Sequence, residues 1–349
     1  LFDRVIQTFG DSAYNHHALA DAPEGTAAMT VIDSHCHVWG SDFLPPAFFR
    51  DAAEGWAAKS SDRTPDMILP RLLTGLVDPD GDDFIANMDR AGVDGAFVMM
   101  IDVGAPVFGE EPRIALEQQI EFYGELKRRH PGRLFPHVSV DHRRPDCLPL
   151  VRKALRETGL FGIGEITPDK FTVADDDFLP LMRLAAEEGV PVQIHTRAGI
   201  WTDFTGKDQS ENNPAHPMHV ARLACAVPDL KIVLCHAGFP HWWQIAAEAV
   251  ADLENCVLDV SNWNEMLHEP SELIARLATW RQIVGSERIM FASDQASGKR
   301  FTGERSFLPA WVRFFRDLPG IAADAGYRFT AEEATLILGG NASRFYGLS

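Results

Sequence analysis

The sequence predicts an α/β chain folded as a (β/α)8 TIM barrel, and three observations lead there. Short, β-branched apolar runs alternate with amphipathic stretches of helical length along the chain, the pattern of parallel strands joined by crossover helices. Eight such runs can be counted, the number that closes a barrel. With 349 residues, 46% of them hydrophobic and 23% charged, the chain can bury a core of that size as one unit.

The elements follow in order. Residues 1–29 are polar and read as a leader or arm, leaving 30–349 as the barrel. The first strand, 30–34, is followed by the longest insertion, about 39–90, rich in Pro, Trp, Phe and Asp. A loop of that length usually has a function, and on a barrel it lies over the mouth. Further strands are expected at 95–101, 134–140, 161–165, 191–195, 231–235, 256–260 and 288–292, where β-branched and aromatic residues cluster. Between them, 111–129, 176–188, 217–227, 242–253 and 270–284 repeat apolar residues at three- and four-residue spacing, as crossover helices do. C-terminal helices complete the chain.

Composition narrows the function. A formal charge of -18, from 32 Lys and Arg against 50 Asp and Glu, argues against a nucleic-acid partner, which clustered cations would have to hold. No run approaches the ~18 apolar residues of a membrane span. The cysteines at 36, 147, 225, 235 and 256 form no CxxC pair and fit a reducing, cytoplasmic setting. A soluble enzyme acting on a small molecule is the expected class.

The chemistry gathers at strand ends. Val31-Ile32-Asp33-Ser34-His35-Cys36-His37 places two histidines i, i+2, so both imidazoles share one face while Cys36 points away. Glu165 closes strand four, His195 strand five, His236 follows strand six, and Asp294 follows strand eight. In a parallel barrel these C-terminal ends converge at one mouth.

On these residues the chain resembles the amidohydrolase superfamily, in particular the amidohydrolase-related group that includes aminocarboxymuconate-semialdehyde decarboxylase and the pyrone-dicarboxylate lactonases. The tail Ile337-Leu-Gly-Gly-Asn-Ala-Ser-Arg-Phe-Tyr-Gly347 is similar to the helix that closes those barrels, and the likeness runs from about residue 30 to 348. The resemblance implies that His35, His37, His195 and Asp294 bind one divalent ion, commonly zinc with manganese as a second choice, and that His236 faces the substrate. Three imidazoles and a carboxylate suit zinc, which lowers the pKa of a coordinated water from ~15.7 toward ~7. Asp294 would then shuttle the proton while the metal or His236 polarises the carbonyl. Glu165 resembles the strand-four carboxylate of two-metal members. It either bridges a second ion, with His195 and His236 on one metal and His35, His37 and Asp294 on the other, or orients a ligand histidine from outside.

Substrate clues are local. Lys299, Arg300 and Arg305 after strand eight, and Arg197 two residues past His195, suit an anionic substrate. Trp39, Trp201, Trp242, Trp243 and Trp263 follow strand ends and suggest an aromatic wall. A small aromatic or ring-derived carboxylic acid satisfies both. Asp141-His142, after strand three, stands where it could line the pocket but reads as a loop polar pair; His216, His219, His241 and His268 read as surface or loop histidines. The resulting expectation is a metal-dependent hydrolase of an ester, lactone or amide, with a metal-dependent non-oxidative decarboxylase as the alternative and a metal-free or non-catalytic barrel as the third reading. A homodimer is left open.

Overall fold

The computed structural model describes residues 30–58, 60–200, 206–299, 301–304 and 306–348. Nine parallel strands form two sheets, in the orders β3-β2-β1-β9 and β4-β5-β6-β7-β8. They are β1 Ile32–His37, β2 Gly95–Met99, β3 Leu134–His137, β4 Ile163–Ile166, β5 Val192–His195, β6 Ile232–Cys235, β7 Cys256–Asp259, β8 Ile289–Met290 and β9 Gln295–Ala296. The sheets are hydrogen-bonded at both seams. Val138 N donates to Gly162 O and Gly164 N to Val138 O between β3 and β4, at 3.0 and 2.8 Å. At the other seam Ser34 N donates to Phe291 O at 3.0 Å and Asp294 N to His35 O at 2.8 Å. β8 and β9 are therefore the two halves of the eighth barrel strand, split where the backbone turns aside to present Asp294.

Side-chain alternation sorts the strand residues between two cores. Outward residues such as Val31, Cys36, Ala96, Val98, Ile232, Leu234, Leu258 and Ile289 join the large core beneath the crossover helices. Inward residues Ile32, Phe97, Met99, Val233, Val257 and Met290 pack with Phe135, Phe161 and Tyr346 as an apolar lower layer inside the barrel. Above it lie the interior polar residues Gln193 and Cys235, both wholly buried. The site is the uppermost layer.

The expected strands and helices are present with shifted ends, and three expectations need correction. The first strand does not stop at residue 34 but runs through His37, so both histidines are held by the ladder that pairs Cys36 with Val98 and with Gln295. The insertion after it is not a loop. It folds into helices Pro46–Ala58 and Pro65–Gly75 before the crossover helix Asp82–Ala91. Pro46 and Pro65 sit at helix starts, where a missing N–H costs nothing, while Pro70 is carried inside the second helix. Trp39, Leu44, Phe48, Ile68, Leu72 and Leu76 pack there with Ile101 and Val103 as a separate small core. His216 and His219 are also buried rather than on the surface, because both face inward from helix Pro217–Ala226 and its first turn, His216 lying 4.9 Å from the Trp242 ring. Among the described residues no helix is long and apolar enough to cross a membrane.

The C-terminal helix Asn341–Tyr346 plugs the lower end. Tyr346 stacks on Phe97 at 3.7 Å between centroids, and Gln193 Nε2 donates to both Tyr346 Oη at 2.6 Å and Ser34 O at 2.7 Å. Asn341 Nδ2 donates to Ser286 O and Ile289 O at 2.8 and 2.7 Å. Gly339 lies so close to β1 that an added Cβ would stand 2.2 Å from Thr30 O. Gly339→Ala is expected to cost about 1–3 kcal/mol as the helix is pushed off the strand, read as a lower urea midpoint; an unchanged midpoint would show that this contact does not hold the plug.

Candidate metal centre

Because β1 alternates, His35 and His37 both enter the barrel while Cys36 leaves it and donates its thiol to Phe97 O at 3.1 Å. Their Nε2 atoms lie 3.2 Å apart. Glu165, from the end of β4, puts Oε2 at 3.6 Å from His35 Nε2 and 3.5 Å from His37 Nε2. Asp294 puts Oδ1 at 3.7 and 3.2 Å from the same two atoms. Ligands at 2.0–2.2 Å from a tetrahedral zinc are separated by about 3.3–3.6 Å. Each carboxylate oxygen is therefore spaced from the two imidazole nitrogens as a divalent cation needs, and His35, His37 and Asp294 form one compact ligand group.

The other Glu165 oxygen serves a second group. Oε1 lies 2.8 Å from His195 Nδ1 and 3.2 Å from His236 Nε2, and those two nitrogens are 3.0 Å apart. One carboxylate thus stands between two pairs of histidines. His195 is the sequence-predicted ligand that falls in the second group; the structure brings Glu165, not His195, to His35, His37 and Asp294.

Partners behind the rings decide which nitrogen carries the proton. His37 Nδ1 faces Met99 O at 3.1 Å, and His195 Nε2 faces Arg197 O and Gly199 O at 3.1 and 2.8 Å. Carbonyls only accept, so each ring donates outward and aims a lone pair inward. His35 Nδ1 similarly faces Asp259 Oδ2 at 3.3 Å. Three imidazole lone pairs consequently face the Glu165 and Asp294 carboxylates, acceptors against acceptors, an arrangement that positive charge stabilises.

The titration behaviour without a cation says the same. Burial lowers the His37 pKa, but Asp294 and Glu165 outweigh it and leave it raised. His35 is held well above the imidazole range, burial being overcome by Cys235, Glu165 and Asp259. Burial alone would raise Glu165, yet His35, His195 and His236 hold it well below the carboxylate range, and His37, His35 and His236 do the same for Asp294. Protons are drawn in where a cation would sit.

Strand seven supplies residues that sequence reasoning missed. Asp259 accepts from His236 N at 2.9 Å and from the Ser261 hydroxyl, besides facing His35. Asn262 Nδ2 lies 2.8 Å from His236 Nδ1 and donates to Asp294 Oδ2 at 3.0 Å. The signal was available, since Asp259 lies one residue short of the end of a predicted strand, 256–260, and closes the observed one. His236, Asn262 and Asp294 all take left-handed backbone, with φ of 65, 66 and 55°, conformations that non-glycine residues adopt where surrounding structure enforces them.

The predicted substrate residues scatter. Trp39 stacks on His37 at 5.1 Å between centroids. Trp263 is wholly buried and donates Nε1 to His236 O at 2.8 Å, bracing that histidine from behind. Arg197 sits 5.2 Å over the Phe239 ring and 3.7 Å from Glu265. Trp242 is buried and Trp243 partly so, while Lys299 is exposed. Trp201, Arg300, Arg305 and the 1–29 leader lie outside the described residues.

Comparison with known proteins gives one family: the model described as amidohydrolase matches residues 32–348. Among solved structures, 5-carboxyvanillate decarboxylase from Sphingomonas paucimobilis is similar, at 19% identity over 92% of this chain and 100% of that one, with a TM-score of 0.64. The 5-carboxyvanillate decarboxylase of Novosphingobium aromaticivorans, complexed with manganese and 4-hydroxy-3-methoxy-5-nitrobenzoic acid, has 18% identity over 92% and 97%, with a TM-score of 0.61. A probable 2-pyrone-4,6-dicarboxylic acid hydrolase from Acinetobacter baumannii has 13% identity over 92% and 100%, with a TM-score of 0.57. At these identities the likeness is one of fold. Comparison with curated proteins returned no match.

Asp259→Asn keeps the shape at His35 but removes the charge that fixes its ring. Chelator competition is expected to show about 10- to 100-fold weaker metal affinity with an unaltered circular dichroism spectrum. Wild-type affinity in this variant would contradict the arrangement.

Proposed function

Because this chain belongs to the amidohydrolase family, we propose that it is a metal-dependent hydrolase cleaving an ester, lactone or amide bond in a small carboxylated, aromatic or ring-derived substrate. The observation that carries the reading is the pair of inward lone pairs at His35 and His37, 3.2 Å apart, with the Glu165 and Asp294 carboxylates each 3.2–3.7 Å from both. A divalent cation held by those four residues supplies Lewis acidity and a water of lowered pKa. Zinc suits the mixed nitrogen and oxygen donors best, and manganese, which the Novosphingobium enzyme carries, is the second choice. His195, His236 and Glu165 Oε1 would receive a second ion if there is one.

The chain's own residues divide the remaining work. Asp294 is the more open carboxylate, its side chain 26% exposed against 3% for Glu165. It is therefore the group that takes the proton from the attacking water and returns it to the leaving oxygen or nitrogen. Asn262 holds Oδ2 of Asp294 and Nδ1 of His236 together, so the carboxylate stays aligned as its charge changes. His236, 1% exposed, faces Glu165 and assists from beneath by stabilising charge on the carbonyl side. Glu165 keeps four imidazoles facing one another, work that a cluster lacking this carboxylate could not do.

Recognition falls to the rim. Trp39, flat against His37, gives an aromatic substrate a face to pack on. Arg197, whose contact with Glu265 is long at 3.7 Å, and Lys299 are cations for its carboxylate; Trp201 and Arg300, close to them in sequence, are assigned to the same task, and Trp263 serves through His236.

Asp294→Asn and His236→Asn are each expected to lower kcat by about 10²- to 10⁴-fold while the thermal transition stays in place. In water enriched in ¹⁸O the label should enter the product carboxyl. Near-native turnover in both variants would sink the reading, and CO2 release without label uptake would reassign the enzyme as a decarboxylase.

A further inference from the structure

A second polar feature opens beside Glu165, on the side away from Asp294. The ends of β2, β3 and β4 and their loops enclose a cavity of about 20 Å³ lined by Asp102, Ser139, His142, Glu165, Thr167 and Phe171, among others. That volume holds one oxygen atom with its hydrogens, since a single water needs about 10–15 Å³.

Two of its walls carry polar groups with no partner among the described residues. The His142 side chain is 4% exposed, and neither of its ring nitrogens makes a hydrogen bond; the buried Thr167 hydroxyl makes none either. The nearest carboxylates to the ring are Asp141 at 3.7 Å from Nδ1 and Asp177 at 3.7 Å from Nε2, both beyond hydrogen-bond reach. Phe171 and Phe178, at 4.5 and 5.2 Å between centroids, grip the ring and keep it turned in. Buried donors and acceptors left unmade are costly, so a structure that retains them this close to its reactive centre is built to satisfy them with something bound.

The charges around the cavity say what that something is. Asp102 is paired with Arg144, whose Nε and Nη2 donate to it at 2.6 and 2.9 Å and whose Nη1 and Nη2 also donate to Glu111 at 2.8 Å. Asp141 is neutralised by Arg143 at 2.8 and 2.6 Å. Burial lowers the His142 pKa, with Asp141 and Asp177 only partly opposing it, so the ring offers one donor and one acceptor rather than a charge. A neutral imidazole and a hydroxyl complement a neutral hydroxyl. A carboxylate is too large for the space and finds no net positive charge there.

We propose that His142 and Thr167 form a specificity subsite that receives a hydroxyl substituent of the substrate ring, next to the Glu165 side of the metal centre. This rests on the proposed function for the substrate's ring character, and the subsite adds the group by which such rings are told apart. A site built to pair a hydroxyl discriminates strongly against analogues that lack it, because its own buried groups are then stranded. In the absence of such a ring, one water occupies the same place.

Calorimetric titration tests this on metal-loaded wild type, His142→Phe and Thr167→Val, with benzoate and its 2-, 3- and 4-hydroxy derivatives as probes. Phenylalanine keeps the ring between Phe171 and Phe178, and valine keeps the shape of threonine, so at least one variant retains the packing. The wild type should bind one hydroxybenzoate about tenfold more tightly than benzoate, the scale of a well-made neutral hydrogen bond. In each variant that ratio should fall below about threefold. A wild type that shows no hydroxyl preference, or a preference that survives both substitutions, overturns the subsite and leaves a water-filled gap only. The same titrations on chelated protein keep the two readings apart: benzoate affinity unchanged by chelation counts against the metal centre, whatever the hydroxyl ratio does.

Discussion

The structure turns on one carboxylate. Glu165 stands among four imidazoles, one oxygen toward His35 and His37 and the other toward His195 and His236. At least three of those rings are locked by partners behind them so that lone pairs face inward. Acceptors facing acceptors repel, and only a cation or added protons can hold them at these distances. Everything else at the upper end of the barrel serves that arrangement. Met99 O, Gly199 O and Asp259 set the tautomers, Trp263 braces His236, and the left-handed turns at His236, Asn262 and Asp294 carry their side chains over the mouth.

Such a cluster needs a rigid base, because a ligand shell loosened by an ångström loses much of its affinity and its rate. The barrel supplies it in layers. Phe97, Phe135, Val233, Val257 and Met290 fill the bottom, Tyr346 seals it, and Gln193 links the plug to Ser34 on β1. The chain of contacts runs from the C-terminal helix to the strand that carries His35 and His37. The close approach of Gly339 to Thr30 belongs to the same support, and explains the glycine at that position.

Much of this was legible in the sequence where spacing and position coincide. The i, i+2 pair at His35 and His37 gives its shared face from strand alternation alone, and Glu165, His195, His236 and Asp294 declare themselves by ending predicted strands. What position along the chain does not encode is which atom faces which neighbour. His195 stood with His35 and His37 in the one-metal reading and with His236 in the two-metal reading, and it aims Nδ1 at the far oxygen of Glu165 beside His236. Trp263 follows a strand end yet points behind His236. Asp259 passed unremarked because a lone aspartate in an apolar strand resembles many others until His35 is seen opposite. The helices at Pro46–Ala58 and Pro65–Gly75 were hidden by prolines that read as breakers, although Pro46 and Pro65 open the two helices and Pro70 is carried inside the second. His142 was an ordinary loop polar residue until its burial between two phenylalanines left it without partners.

The central claim is that the acceptors at His35, His37, Glu165 and Asp294 surround a metal. Anomalous diffraction from crystals of the protein as purified, recorded at the absorption edges of zinc and manganese, tests it most directly. The account predicts a peak about 2.0–2.2 Å from His35 Nε2, His37 Nε2, Glu165 Oε2 and Asp294 Oδ1. A catalytically active crystal with no anomalous peak among those four atoms would contradict it.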